Sequence, residues 1–172
     1  MLKLVIPVIV IVLSTSFLFS QNDNSSPCAP ETSQFDFWVG KWKAEWQNPD
    51  GTSSEGSNEI NSILDGCVIQ ENFNGNPGMN FLGKSFSVYN SNKNIWQQTW
   101  VDNQGGYMVF TGGMTDDKMK LSRKITIKEK EVSQRMVFYN ITKKKFDWDW
   151  ETSLDGGKTW ELKWRINYTR NN

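Results

Sequence analysis

Several polar side chains fall in phase with the apolar positions of alternating segments. Glu71 lies between Ile69 and Phe73. Gln98 and Asp102 alternate with Trp96 and Trp100. Arg123 interrupts the series Met119, Leu121, Ile125, Ile127, and Arg135 is in phase with Val137, Tyr139 and Ile141. In an extended chain, residues two apart share a face, so each of these groups points where its apolar neighbours are buried. A buried charge without a partner is costly. Inward-facing Glu71, Asp102, Arg123 and Arg135 therefore need one another, water or a ligand. Two chemistries follow. Glu71 or Asp102 could act as general acid or base, with Arg123 or Arg135 stabilising an anion. Alternatively, the set fixes the orientation of a bound small molecule. No paired-carboxylate spacing singles out a catalytic residue, and none is assigned. A shift of register in one of these segments would put its polar residue outside.

The aromatic residues ask the same question. Trp96/Trp100, Trp148/Trp150 and Trp160/Trp164 occur at spacings of two or four, which puts each pair on one face of a strand. Facing inward, they would line a wide apolar lumen with Glu71, Gln98, Asp102, Arg123 and Arg135, a lining suited to a small molecule. They could equally fill the interior as core. On the outside, Trp148, Trp150, Trp160 and Trp164 would form a platform for carbohydrate or protein.

Composition narrows the chemistry. The chain has no His, which excludes His-ligated haem or zinc and the Ser-His-Asp and Cys-His nucleophile systems. No cofactor and no metal site is expected. Lys+Arg and Asp+Glu both count 19, so no net field draws in nucleic acid or an anionic surface. Catalysis is the less favoured use of these residues.

The elements that would position them are short. Segments 41–47, 57–64, 67–73, 81–90, 95–101, 107–114, 118–127, 132–142, 146–152 and 159–170 alternate, and turn residues separate them, among them Asp65-Gly66 and Asn103-Gln104-Gly105-Gly106. No window shows a sustained helical period. About ten short strands with regular turn signals indicate an all-β sandwich or barrel. Consecutive tight turns favour a single up-and-down antiparallel barrel, which leaves no exposed edge. Residues 34–40, Gln-Phe-Asp-Phe-Trp-Val-Gly, are too short and aromatic for a long helix and read as one helical turn closing the barrel end.

The N-terminus reads as an address. Lys3 precedes an apolar run from residue 4 to 13, and small and polar residues follow, the pattern of a secretory signal peptide. Cleavage after Ser20 or after Ser16 fits, and an uncleaved anchor is the alternative. Residues 1–20 are assigned to the signal and 21–34 to a polar lead-in. The expected protein is periplasmic or secreted, with no lasting membrane insertion after cleavage. Cys28 and Cys67 are the only cysteines; export favours a disulfide between them over two free thiols.

Two local motifs carry structural meaning. Gly40-Lys41-Trp42 opens the first strand. A Trp there can pack under an Arg from the last strand, where Arg165 and Arg170 lie, and close the barrel floor through a cation–π contact. Ser153-x-Asp155-x-Gly157-x-Thr159-Trp160 resembles the Asp-box of sialidases and other propellers. Its mechanics are those of a hairpin: Asp155 caps the turn, Gly157 supplies a positive φ, and Trp160 packs over it.

A longer likeness runs through Phe35-Asp36-Phe37-Trp38-Val39-Gly40-Lys41-Trp42, Leu64-Asp65-Gly66-Cys67, residues 96–103, Gly112-Gly113 and the hairpin ending in Tyr168-x-Arg170. Through these the chain resembles the DUF1579-type exported bacterial proteins, a family similar to calycins and without an assigned activity. The resemblance implies a calycin-like, lipocalin-like barrel over 35–172 and export. The calycins that carry haem hold it on a His that this chain lacks. The expectation is an exported barrel that binds a small, partly apolar ligand in an aromatic lumen.

Overall fold

The computed structural model describes residues 28–171; the expected signal peptide lies outside them. Ten strands run in chain order: β1 (Gly40–Gln47), β2 (Ser53–Ile63), β3 (Val68–Asn74), β4 (Leu82–Asn90), β5 (Ile95–Asp102), β6 (Tyr107–Thr115), β7 (Lys118–Ile127), β8 (Lys130–Tyr139), β9 (Lys145–Ser153) and β10 (Glu161–Arg170). Each pairs antiparallel with its neighbour in sequence, and β1 pairs with β10, so the sheet closes into an up-and-down barrel. Among the described residues the one helical element is a 3₁₀ turn, Pro30–Phe35. No helix of the described residues is long and apolar enough to cross a membrane.

Alternation sets the inside. On β1, Trp42, Ala44 and Trp46 are buried while Lys41, Glu45 and Gln47 are exposed. On β3 the buried positions are Ile69, Glu71 and Phe73. The β7–β8 and β8–β9 registers put Leu121 opposite Met136 and Met136 opposite Trp150. Aromatic rings, each with a large apolar area, supply most of this interior.

One end of the barrel is sealed by the 3₁₀ turn and the residues after it. Phe35 sits edge-on to Trp96 at 4.6 Å, Trp38 lies 5.1 Å from Phe138, and Phe37 lies 5.8 Å from Phe146. Beneath them the Trp42 indole donates to the Trp38 carbonyl at 2.7 Å. The Arg170 guanidinium lies over Trp42 at 4.1 Å and donates to the carbonyls of Lys143, Val39 and Phe37. Gly40, at φ 135°, is where Arg170 passes; a Cβ there would collide with the guanidinium. Arg165 takes no part in this floor. It points outward and forms an ion pair with Asp149.

A disulfide joins Cys28 to Cys67, with Cα atoms 5.1 Å apart. It ties the segment leading into the floor to the β2–β3 turn and closes a loop of 39 residues. Cys28→Ser/Cys67→Ser is expected to cost about 2 kcal/mol, the low end of the usual range, because the freed lead-in also gains freedom in the native state. Urea midpoints of the variant and the oxidised parent check this.

The β9–β10 hairpin takes the form its motif requires. Asp155 accepts from the backbone N–H groups of Lys158 and Thr159 and from the Thr159 hydroxyl. Gly157 has φ 92°, and the Trp160 indole N–H donates to its carbonyl at 3.0 Å.

Candidate functional site

The half of the barrel away from the floor is not filled. A cavity of about 340 Å³ opens there, walled mostly by aromatic and methionine side chains. Six of the residues singled out by phase line it: Glu71, Trp100, Arg123, Trp148, Trp150 and Trp164. Register explains the grouping. Trp164 pairs with Trp150 across β10 and β9, and Trp148 stands edge-on to Trp164 at 5.7 Å. Trp100 can lie against β4 because Gly83 offers no Cβ to meet its ring. The platform arrangement called for several of Trp148, Trp150, Trp160 and Trp164 outside; Trp148, Trp150 and Trp164 face the lumen, and Trp160 alone of the four lies outside it, against Arg135.

Two charge-bearing groups break the apolar wall, with Gln134 and Tyr168 beside them. Glu71 is 7% exposed. Its Oε1 accepts from the Asn58 amide and its Oε2 from the Ser85 hydroxyl, both at 2.7 Å. Burial raises its pKa to about 7, against the opposing pull of those two donors. Tyr168 lines the cavity beside it, its hydroxyl 3.4 Å from the Asn58 amide nitrogen. Burial and then the Glu71 charge push the phenol well above its ordinary range.

Arg123 is the second group. Its Nε donates to Gln134 Oε1 at 2.8 Å, and its guanidinium carbon lies 5.3 Å from the centre of the Phe110 ring. Burial lowers its pKa. No carboxylate of the described residues pairs with it, whereas Arg135 and Arg165 each have one. At the cavity's inner boundary, Trp38 is 2% exposed and its indole nitrogen has no hydrogen-bond partner among the described residues.

The other four phase-selected residues do not join this wall. Trp96 is fully buried in the floor, bonded to Gln34. Gln98 is buried one step deeper than the cavity and donates to Ser87. Asp102 ends β5 and caps its own turn: burial would raise its pKa, but the N–H of Gly106, the Trp100 indole and the N–H of Gln104 together hold it below the usual range. Arg135 points outward, pairs with Glu151 and stacks 3.9 Å from the centre of the Trp160 ring. The phase of β8 misleads because the strand is apolar on both faces. Val137 is buried on the outer face between Arg135 and Tyr139, while Gln134, Met136 and Phe138 form the inner face. Trp160 and Trp164 are likewise split: Trp160 precedes β10, and a register shift between Leu162 and Trp164 changes the phase.

Asn58, Ser85, Gln134 and Tyr168 were not singled out from sequence. Gln134 and Tyr168 had a signal, since they share parity with Met136–Phe138 and Trp164–Ile166. Asn58 and Ser85 sit in polar runs and gain meaning only from their register against Glu71.

Comparison with known proteins places this geometry. Residues 29–170 match the family model described as protein of unknown function, DUF1579. Among curated proteins nothing matches. A redesigned β-barrel is 16% identical, with 86% of this chain and 100% of that chain covered and a TM-score of 0.44. Rv2717c from M. tuberculosis is 9% identical, with 84% and 99% covered and a TM-score of 0.51; the likeness is one of fold.

Proposed function

We propose, for a chain that belongs to the DUF1579 family and so inherits no assigned activity, that the protein is exported and holds a small, partly apolar molecule in its lumen. The observation that carries this reading is the cavity of about 340 Å³, walled by indole rings and interrupted by Glu71 and Arg123. Pockets that are mainly apolar with a few placed polar groups are the usual form of small-molecule sites, and a void of this size in a filled core would forfeit packing. The disulfide supports export, because such bonds persist in oxidising compartments.

The test uses N-phenyl-1-naphthylamine, a neutral apolar dye that brightens in dry surroundings. It is expected to bind saturably at one site per chain, with energy transfer from the lumen tryptophans. Met136→Trp and Met108→Trp, which place bulk in the cavity, should each abolish uptake while far-UV circular dichroism stays unchanged. Absence of saturable uptake, or uptake indifferent to both variants, would overturn the reading.

One observation favours a second reading. A carboxyl with a pKa of about 7 in a cavity wall is in the range in which general acid–base catalysis works. In that case Glu71→Gln would abolish turnover of a bound molecule while retaining its binding.

A further inference from the structure

We infer that the lumen ligand is a small amphiphilic monoanion, whose single oxyanion head sits on Arg123 and whose apolar body lies against the tryptophans. The inference rests on the lumen-binding reading above and names the ligand class.

The four arginines of the chain make the argument by contrast. Arg135 pairs with Glu151, Arg165 makes two hydrogen bonds to Asp149, and Arg170 donates to three backbone carbonyls. These three face the outside or close the floor, and each has strong acceptors. Arg123 alone lines the cavity. Among the described residues its only hydrogen-bond acceptor is the neutral Gln134 amide oxygen, and Nε is the nitrogen used. Among the described residues the two terminal nitrogens, Nη1 and Nη2, have no acceptor. A guanidinium edge of this kind suits an oxyanion, which it can hold through two parallel hydrogen bonds.

The setting favours the pairing. Gln134 and the Phe110 face hold the guanidinium in place, so little side-chain freedom remains to be lost on binding. Partial burial weakens hydration of the charge, and an anion brought beside it would offset that cost. The remaining wall specifies the rest of the ligand. Trp100, Trp148, Trp150 and Trp164 supply a mainly apolar surface. A second negative charge would find no second cation among the lining residues, and Glu71 there is committed to Asn58 and Ser85 rather than to Arg123. The cavity volume of about 340 Å³ limits the body to a few rings or a short acyl chain.

The experiment compares two dyes with the same aromatic body, N-phenyl-1-naphthylamine and its sulfonated form, 1-anilinonaphthalene-8-sulfonate, by fluorescence titration of the full chain. The sulfonated dye is expected to bind about tenfold tighter or more, the yield of charge-assisted hydrogen bonds. Arg123→Gln should erase that preference. Arg123→Lys should keep part of it. Lys124→Gln, on the outer face of the same strand, should leave it intact. Because Arg123→Gln removes no core side chain, folding can be confirmed by an unchanged circular dichroism spectrum. Equal affinity for the two dyes, or an unaltered preference in Arg123→Gln, overturns the anion assignment and leaves the lumen-binding reading standing. Uptake of neither dye overturns both.

Discussion

Trp42→Ala is expected to lower the unfolding free energy by about 5 kcal/mol, the upper end of the range for removing a buried aromatic side chain, and Tm by roughly 15 °C. The effect is large because several partners lose their contacts at once. Trp42 is fully buried. Its indole N–H holds the Trp38 carbonyl, its edge meets Phe146 at 4.8 Å, and its face carries the Arg170 guanidinium. Removal leaves a cavity in the floor and takes away the cation–π partner of a partly buried charge. Trp42→Phe should recover a substantial part of the loss, since the ring returns without the N–H. Arg170→Lys should not reproduce wild type, because an ammonium cannot both stack and donate to three carbonyls. Urea denaturation of the three variants measures the order. Equal stability of Trp42→Ala and wild type would show that the floor is held by the disulfide and the 3₁₀ turn alone.

The second large effect is the pH dependence carried by Glu71. Its carboxyl titrates at about 7 in the folded protein against 4.5 for the unperturbed group. The folded state thus keeps a proton that the unfolded chain has already released. Stability from this group is fully present below pH 4.5, declines as pH rises from there to 7, and stays low above it. The shift corresponds to about 3 kcal/mol. Gln resembles the protonated acid in shape and does not ionise. Glu71→Gln is therefore expected to be more stable than wild type by about 3 kcal/mol at pH 8 and nearly equal to it at pH 4.5. The neighbouring titratable group, Tyr168, is pushed upward and does not ionise in this window. Paired urea curves at the two pH values give the comparison. The same pH slope in both proteins would assign the titration elsewhere.

How far the sequence discloses this molecule depends on the range of each interaction. Strand identity is local, and alternation finds it: the segment read as 118–127 is β7 without change, and 95–101 differs from β5 by one residue. The first third of β2 escapes, because Ser53, Ser54, Glu55 and Gly56 offer no apolar alternation and are strand only through their register with β1. Strand β8 stops at Tyr139 rather than 142 because Asn140 takes φ 52°. The site divides in the same way. Glu71 and Arg123 stand out by parity within their own strands. Their partners, Asn58, Ser85 and Gln134, become partners only when separate strands are laid side by side, and parity in one strand is blind to that. Arg135 fails for a related reason. Both faces of β8 are apolar, and Trp160 from the neighbouring β9–β10 hairpin turns its outer face into a packed one.

The seam between β1 and β10 sets the order in which the barrel can be built. Nine of its ten pairings join neighbours in sequence and can zip up locally. The tenth brings Trp42 beside Arg170 and Ala44 beside Tyr168. Local pairing is quick and long loop closure is slow, so closure of the ring is the late event, and until then the chain is a curled ribbon with two raw edges. Such edges recruit strands from other molecules. The ring cannot close until its last strand is in place, so the interval before that is when this protein is open to aggregation.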